Sequence, residues 1–203
     1  MRAIYLKKGT VNVQVDRPML HRVAKLLLTL VLFATVPAHA DESAAWAAIR
    51  EGGHIILMRH ATAPGVGDPP NFHLSDCSTQ RVLSDAGRSQ AKLIGAALRE
   101  GGIKADRVLS SAWCRCVETA ELLDLGQVEV FEPLNSFFGK RDTEASQTEA
   151  VRRLIGDWKG PATLVLVTHQ VNVTALTDIF PASGEMVVLR PNGQFIGRIS
   201  PAS

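Results

Sequence analysis

The run Thr163-Leu164-Val165-Leu166-Val167 constrains this chain more than any other feature. After its first residue it is continuously apolar, so it cannot be a strand with one wet face. It reads as a strand covered on both sides, the usual state of a strand inside a parallel sheet. His54-Ile55-Ile56-Leu57-Met58 has the same character. Amphipathic helical segments lie between such runs. Ser84 is placed to cap a helix with an apolar face of Ala86, Ala91, Leu93, Ile94, Ala97 and Leu98, stopped by Gly101-Gly102. The same reasoning predicts helices over residues 43–50, 112–124, 147–158 and 171–180. It predicts shorter strands at 107–109 and 128–131, and a closing pair at 185–189 and 195–199. Repeated β-α-β units of this length imply an α/β three-layer sandwich: a mostly parallel sheet with helices on both faces.

The first 40 residues read as an address. Arg22 and Lys25 form a charged start, residues 26–34 an apolar middle, and Ala38-His39-Ala40 a small-x-small cleavage site before Asp41. The apolar run is too short to span a bilayer, so the expectation is cleavage and export, to the periplasm, with no membrane insertion afterwards. Two segments follow: residues 1–40, an extension with a signal peptide, and residues 41–203, one domain large enough for its own core. Residues 1–18 precede a second methionine, Met19, which is an alternative start.

The formal charge of +2 belongs to that N-terminus, which holds six Lys/Arg and one acid. From Asp41 onward acids outnumber bases, so nothing supports a nucleic-acid footprint. Export would expose Cys77, Cys114 and Cys116 to an oxidising compartment. Cys114 and Cys116 are two apart at a helix start and point to different sides. A bridge would join Cys77 to one of them, and the alternative is three small buried residues. No pair has zinc spacing, so no metal site is expected.

Parallel sheets of this kind bind ligands at the carboxyl ends of their strands. Three such ends carry polar residues of one type. The first reads Met58-Arg59-His60-Ala61-Thr62, the second Leu109-Ser110-Ser111 running into Ala112-Trp113-Cys114-Arg115, and the third Val167-Thr168-His169-Gln170. Two histidines and two arginines thus fall on one edge. Arginine forks match phosphate oxygens, and a neutral histidine can attack phosphorus. The helix start after Ala112 adds backbone N–H groups that favour an anion.

These residues resemble the histidine phosphatase superfamily, whose fold is called phosphoglycerate mutase-like. Arg59-His60-Ala61 is similar to its Arg-His-Gly hallmark, with Ala for Gly. Ser110-Ser111-Ala112-Trp113-Cys114-Arg115-Cys116-Val117-Glu118-Thr119-Ala120 matches its Ser-Ser-x-x-x-Arg-x-x-Glu-Thr-Ala pattern. Leu83-Ser84-Asp85-Ala86-Gly87-Arg88-Ser89-Gln90-Ala91 resembles its Leu-Ser-x-x-Gly-x-x-Gln-Ala helix start. The resemblance spans residues 54–180. It implies a phosphatase that needs neither cofactor nor metal and acts on a small phosphorylated substrate, a phosphomonoester or a phosphohistidine-type group. His60 would be the nucleophile and form a phosphohistidine. Arg59, Arg115 and His169 would hold the phosphoryl oxygens. Apart from the resemblance, Thr62 at the end of the first strand and Arg81 in the long loop over the site are further candidate substrate contacts. A mutase is disfavoured, since the family's mutases act inside the cell. Oligomeric state is left open.

One part of the pattern is missing. One branch of the family has Asp directly after the second histidine, where this chain has Gln170; another has Glu after Leu-Asn, where this chain has Ser136. A leaving alkoxide needs a proton, usually from a carboxyl group. Glu132, Asp142, Glu144 and Glu185 are the candidates, Glu185 first, since it follows soon after the His169 helix. The missing acid also supports the alternative reading, a non-catalytic phosphate-binding or sensory domain. Trp46, Trp113 and Trp158 read as packing, His54 as structural, and His73 and Gln80 as loop residues over the site.

Overall fold

The computed structural model describes residues 38–200, so the predicted charged start and apolar middle of the signal segment lie outside the described residues. Six strands form one sheet in the order β3-β2-β4-β1-β5-β6. They are β1 (Ile55–Arg59), β2 (Ala105–Ser110), β3 (Val128–Val130), β4 (Thr163–Thr168), β5 (Met186–Leu189) and β6 (Phe195–Ile199). β3, β2, β4 and β1 are mutually parallel, whereas β5 and β6 add an antiparallel edge. The sheet is therefore mostly parallel, as its apolar strands predict. β4 lies at its centre and is buried at every residue.

Alternation along the strands sends side chains to two cores. Ile56, Met58, Val108, Val165 and Val167 pack under helices α1 (Ala38–Glu51), α2 (Asp85–Glu100) and α3 (Cys114–Leu123). Ile55, Leu57, Leu109, Leu164 and Leu166 pack under α4 (Glu144–Asp157) and α5 (Gln170–Thr177). Two fully covered faces leave polar chemistry only at the strand ends. α2 begins as predicted, with Ser84 accepting a hydrogen bond from the Gly87 N–H at 3.0 Å. α1 begins at Ala38, five residues before Ser43, so cleavage before Asp41 would trim its first turn. α4 also starts earlier than its apolar face, at Glu144, an acid suited to a helix N-terminus.

Between β1 and α2 lies a strap, residues 61–82. Its only regular elements are a 3-10 turn at Cys77–Thr79 and an isolated bridge between His73 and Asp76. Cys77 is joined to Cys114, and Cys116 is a buried free thiol. The chain thus takes one of the two pairings left open by spacing, and the disulfide fastens the strap to the first residue of α3.

Candidate active site

The parallel register puts three chain ends side by side. Arg59 pairs with Thr168 in β1–β4, and Ser110 with Val167 in β2–β4. The next residues, His60, His169 and Ser111, emerge together: the His60 N–H donates to Thr168 O at 2.9 Å and the Ser111 N–H to Val167 O at 3.0 Å. The His60 and His169 rings meet edge to face, 5.5 Å between centroids. Arg115, on the first turn of α3, reaches between them and is 2% exposed.

The guanidinium of Arg115 fixes the state of both rings. Its Nε–H donates to His60 Nε2 and an Nη2–H to His169 Nδ1, each at 3.3 Å. A guanidinium only donates, so both ring nitrogens must be lone-pair acceptors. The protons of the neutral rings then lie on the other nitrogens. His60 Nδ1–H donates to Ala61 O at 2.7 Å. His169 Nε2–H donates to Ser111 Oγ at 2.9 Å, and Ser111 in turn donates to Asn135 Oδ1 at 3.2 Å. Burial holds His60 down to about 3; Arg115, Arg81 and Arg59 push the same way, and the Ala61 carbonyl only partly opposes them. Burial, followed by His60 and the three arginines, holds His169 well below the usual histidine range. Each ring is neutral at pH 7, and His60 presents Nε2 as a nucleophilic lone pair aimed at a cation.

Arg59 stands at the end of β1, half-buried. It donates from Nη1 to Pro181 O at 2.9 Å, while its buried Nε–H has no partner among the described residues. Burial and then the Arg115 charge hold its pKa below the usual value. Two mutually repelling guanidiniums and an unpaired donor at one strand edge call for an anion.

The motifs around these residues are scaffolding with identifiable jobs. Thr119 accepts the Ala61 N–H at 3.1 Å and donates to Arg115 O at 2.6 Å, tying the turn after β1 to the arginine's own backbone. Glu118 pairs with Arg88 on α2 at 2.6 Å. Gln90 Oε1 accepts from Thr62 N–H and Oγ–H at 3.0 and 3.1 Å, and its amide donates to Ser183 O. Gly87 has no side chain because a Cβ there would collide with the Thr62 carbonyl. The helix-start motif is therefore a buttress for the turn that carries His60.

Four of the predicted residues come together: Arg59, His60, Arg115 and His169. Three do not join them through side-chain bonds. Thr62 spends its hydroxyl on Gln90. Arg81 spends Nε on Gly67 O and Nη1 on Ala63 O, bracing the strap from within. Glu185 is the clearest correction. Its carboxylate is buried, Oε1 in an ion pair with Arg198 and Oε2 accepting the Ala182 N–H at 2.7 Å. Oε1 ties the start of β5 to β6 and Oε2 closes the loop before β5, and neither oxygen bonds to a histidine. The other candidate acids fare no better: Glu144 pairs with Arg141, and Glu132 and Asp142 are exposed. Gln170 donates to Thr174 along its own helix, and Ser136 accepts from the Phe138 N–H.

Asp68, which sequence reasoning missed, is the carboxylate at the site. It faces the Arg115 fork two oxygens to two nitrogens, Oδ1 to Nη1 at 2.8 Å and Oδ2 to Nη2 at 3.1 Å. Its Oδ1 also accepts the Arg81 N–H at 3.1 Å, and its Oδ2 the Trp113 indole N–H at 3.0 Å. Burial pushes this carboxyl up, but the bonds and charge of Arg115, the Arg81 N–H and the indole outweigh it and hold it below the usual range. Trp113 is thus more than packing: it lies tilted against Phe72, meets His169 edge to face, and supplies a donor. The one signal in the sequence was Asp68 in a Gly- and Pro-rich loop after the first histidine, a composition that loops show whether or not they bind anything.

The chain matches the family model of the histidine phosphatase superfamily (branch 1) over residues 55–136. It is 43% identical over 76 residues to the mitochondrial serine/threonine-protein phosphatase Pgam5 of Drosophila virilis, and 38% identical over 80 residues to that of Drosophila yakuba. These stretches cover 37% and 39% of this chain, and 23% and 25% of the relatives, so the match spans about a quarter of those proteins. Among solved structures, the protein histidine phosphatase SixA complexed with tungstate superposes with a TM-score of 0.51 at 20% identity, covering 73% of this chain and 97% of that one. A putative phosphohistidine phosphatase SixA from Agrobacterium tumefaciens gives 0.54 at 18% identity, covering 74% and 99%. At those identities the likeness concerns the fold.

Proposed function

We propose that this chain, whose residues 55–136 match the family model of the histidine phosphatase superfamily (branch 1), is an exported phosphohydrolase working through a phosphohistidine on His60. The observation that carries the reading is the locked tautomer: Nδ1–H on the Ala61 carbonyl leaves Nε2 as a lone pair beside Arg115. His60 Nε2 attacks phosphorus while Arg115 and Arg59 hold the non-bridging oxygens. Their charge serves a transition state that needs positioning and neutralisation more than covalent help. His169, held by Ser111 and Asn135, flanks the same group. Water then attacks the phosphohistidine and releases inorganic phosphate.

Export is supported by the three-part N-terminal pattern and by the Cys77–Cys114 bridge, which suits an oxidising compartment. The named activities of the relatives, protein phosphatase and phosphohistidine phosphatase, support a phosphomonoester or phosphohistidine-type substrate. The test is a phosphatase screen of the chain from Asp41 onward, over aryl, alkyl and imidazole phosphates, on wild type and His60→Ala. Turnover lost by at least about a thousandfold in a folded variant is expected. Normal turnover in His60→Ala refutes the mechanism. No turnover in wild type, with phosphate still bound, returns the protein to the non-catalytic alternative.

A further inference from the structure

The guanidinium of Arg115 has no donor to spare. A guanidinium offers five N–H bonds. Nε–H goes to His60, the two on Nη1 to Asp68 Oδ1 and Arg81 O, and the two on Nη2 to Asp68 Oδ2 and His169. A phosphoryl group that takes this fork must therefore displace a partner. His60 releases Nε–H when its Nε2 turns to phosphorus, but that frees a single donor; the two-nitrogen face of Nη1 and Nη2 stays occupied by Asp68. The side-chain carboxylate of Asp68 is the partner that carries the same charge as phosphate and presents the same two-oxygen face.

Displacement would not expel Asp68 from the pocket. Two of its four hydrogen bonds come from Arg81 N–H and Trp113 Nε1–H, which do not depend on the fork. Its side chain is 8% exposed. Stripped of Arg115 and set beside a phosphate dianion, a buried carboxylate is stable only with a proton. The charged or titratable groups around it are Arg115, Arg81 and the Cys116 thiol, with His60 and His169 across Arg115. Burial raises Cys116 to about 12, so it stays a thiol, and both rings are neutral. None of these can take the proton in its place.

We propose that Asp68 is the proton donor of the reaction, sharing the Arg115 fork with the substrate's phosphoryl group and taking up a proton as that group displaces it. The inference rests on the phosphohistidine reading above. In the first step the His60 Nε2 lone pair forms the N–P bond. The ester P–O bond breaks with its electron pair on the leaving oxygen, and the Asp68 carboxyl proton passes to that oxygen. In the second step water oxygen attacks phosphorus, the N–P pair returns to His60, and a water proton returns to Asp68. Phosphate departs, Asp68 gives its proton to solvent and closes again on Arg115.

The experiment has two arms. Calorimetry of sulfate binding, in buffers of different ionisation enthalpy near pH 7, reads protons taken up, because sulfate itself does not titrate there. About one proton per sulfate is expected in wild type and none in Asp68→Asn. Equal uptake in both overturns the proposal. Single-turnover phosphorylation of His60 across phosphoesters of graded leaving-group pKa is the second arm. Asp68→Asn should slow alkyl phosphates by about a hundredfold or more and aryl phosphates by less than tenfold, since only poor leaving groups need the proton. Asp68→Glu should restore part of the alkyl rate. A uniform fall across the series, or a rise in all rates, assigns Asp68 to strap anchoring or to plain blockade and refutes the donor role. Failure of the phosphohistidine reading would look different: wild type itself would form no phosphoenzyme.

Discussion

The pocket has two walls held by different physics. One is the carboxyl edge of the sheet, where Arg59, His60, Ser111 and His169 continue strands buried on both faces. Their positions follow from register, and slipping a strand by one residue would turn its whole apolar set outward. The other wall is the strap, residues 61–82, which has almost no core of its own. It is held by one disulfide, by the Asp68–Arg115 ion pair, by side chains bonding to backbone, and by Phe72 on Trp113. Gln80 alone accepts the Cys114 N–H at 3.0 Å and donates to His73 O and Leu74 O. The strap also carries an 87% exposed Val66. The edge is rigid because apolar burial makes it so, and the strap is a separate piece fastened at a few points, suited to a wall that must exchange Asp68 for a ligand.

Removing the residue that joins the walls should give the largest effect. Arg115→Ala takes the donor from both histidines and leaves Asp68 buried without its counter-charge. Turnover should fall by at least about a thousandfold, and stability by about 3–5 kcal/mol, the usual cost of orphaning one partner of a buried pair. Kinetics and denaturant unfolding check this. A stable, active Arg115→Ala protein would separate the walls altogether.

Cutting the strap's fastening comes next. A bridge closing the 37-residue separation of Cys77 and Cys114 restricts the unfolded chain by about 4 kcal/mol. The double variant Cys77→Ser/Cys114→Ser should lose roughly that, with new proteolytic cuts confined to residues 61–82. Cuts appearing equally in the β4–α5 region would show that strap and edge unfold as one unit.

The same contrast governs what could be read from the chain. The edge was legible because continuous apolar runs give strands, parallel strands give a carboxyl end, and Arg59, His60, Arg115 and His169 each stand at such an end or on the helix that follows it. Helix starts were legible where a capping side chain marks them, as at Ser84. α4 was read short because its first turn is polar. The strap was not legible. Its order comes from contacts distant in sequence, such as Asp68 to Trp113 and Gln80 to Cys114, and these leave no period. Glu185 failed for a related reason: proximity along the chain said nothing of Arg198, a partner on the neighbouring strand.

Acid tests the edge without mutation. His60 lies at about 3 and His169 well below its usual range when folded, chiefly through burial. In the unfolded chain each takes a proton near pH 6.5. Below that pH the unfolded state binds more protons, so stability falls as pH falls, by up to about 1.4 kcal/mol per pH unit for each histidine. Asp68, depressed in the fold, adds its own loss only below about pH 4. Urea midpoints between pH 7 and 5 should drop steeply in wild type and about half as steeply in His60→Asn. An unchanged slope in the variant would mean that His60 is protonated in the fold.

The smallest effect is expected at Glu185, and it bears on where the reaction's proton comes from. Its carboxylate joins Arg198 and the Ala182 N–H at the antiparallel edge of the sheet. Arg198 is 43% exposed on its side chain, so solvent screens the pair and Glu185→Gln should cost only about 1 kcal/mol. The amide keeps an oxygen for the Ala182 N–H and a shape close to the carboxylate. The backbone N–H of Arg59 donates to Glu185 O at 3.1 Å whatever the side chain, so the strand end that positions His60 stays in place. Rates should therefore fall little, and by the same factor for alkyl and aryl phosphates. A dependence on leaving-group pKa that steepens in Glu185→Gln and not in Asp68→Asn would move the proton donor from the strap to the sheet, and would undo the division of labour between the two walls.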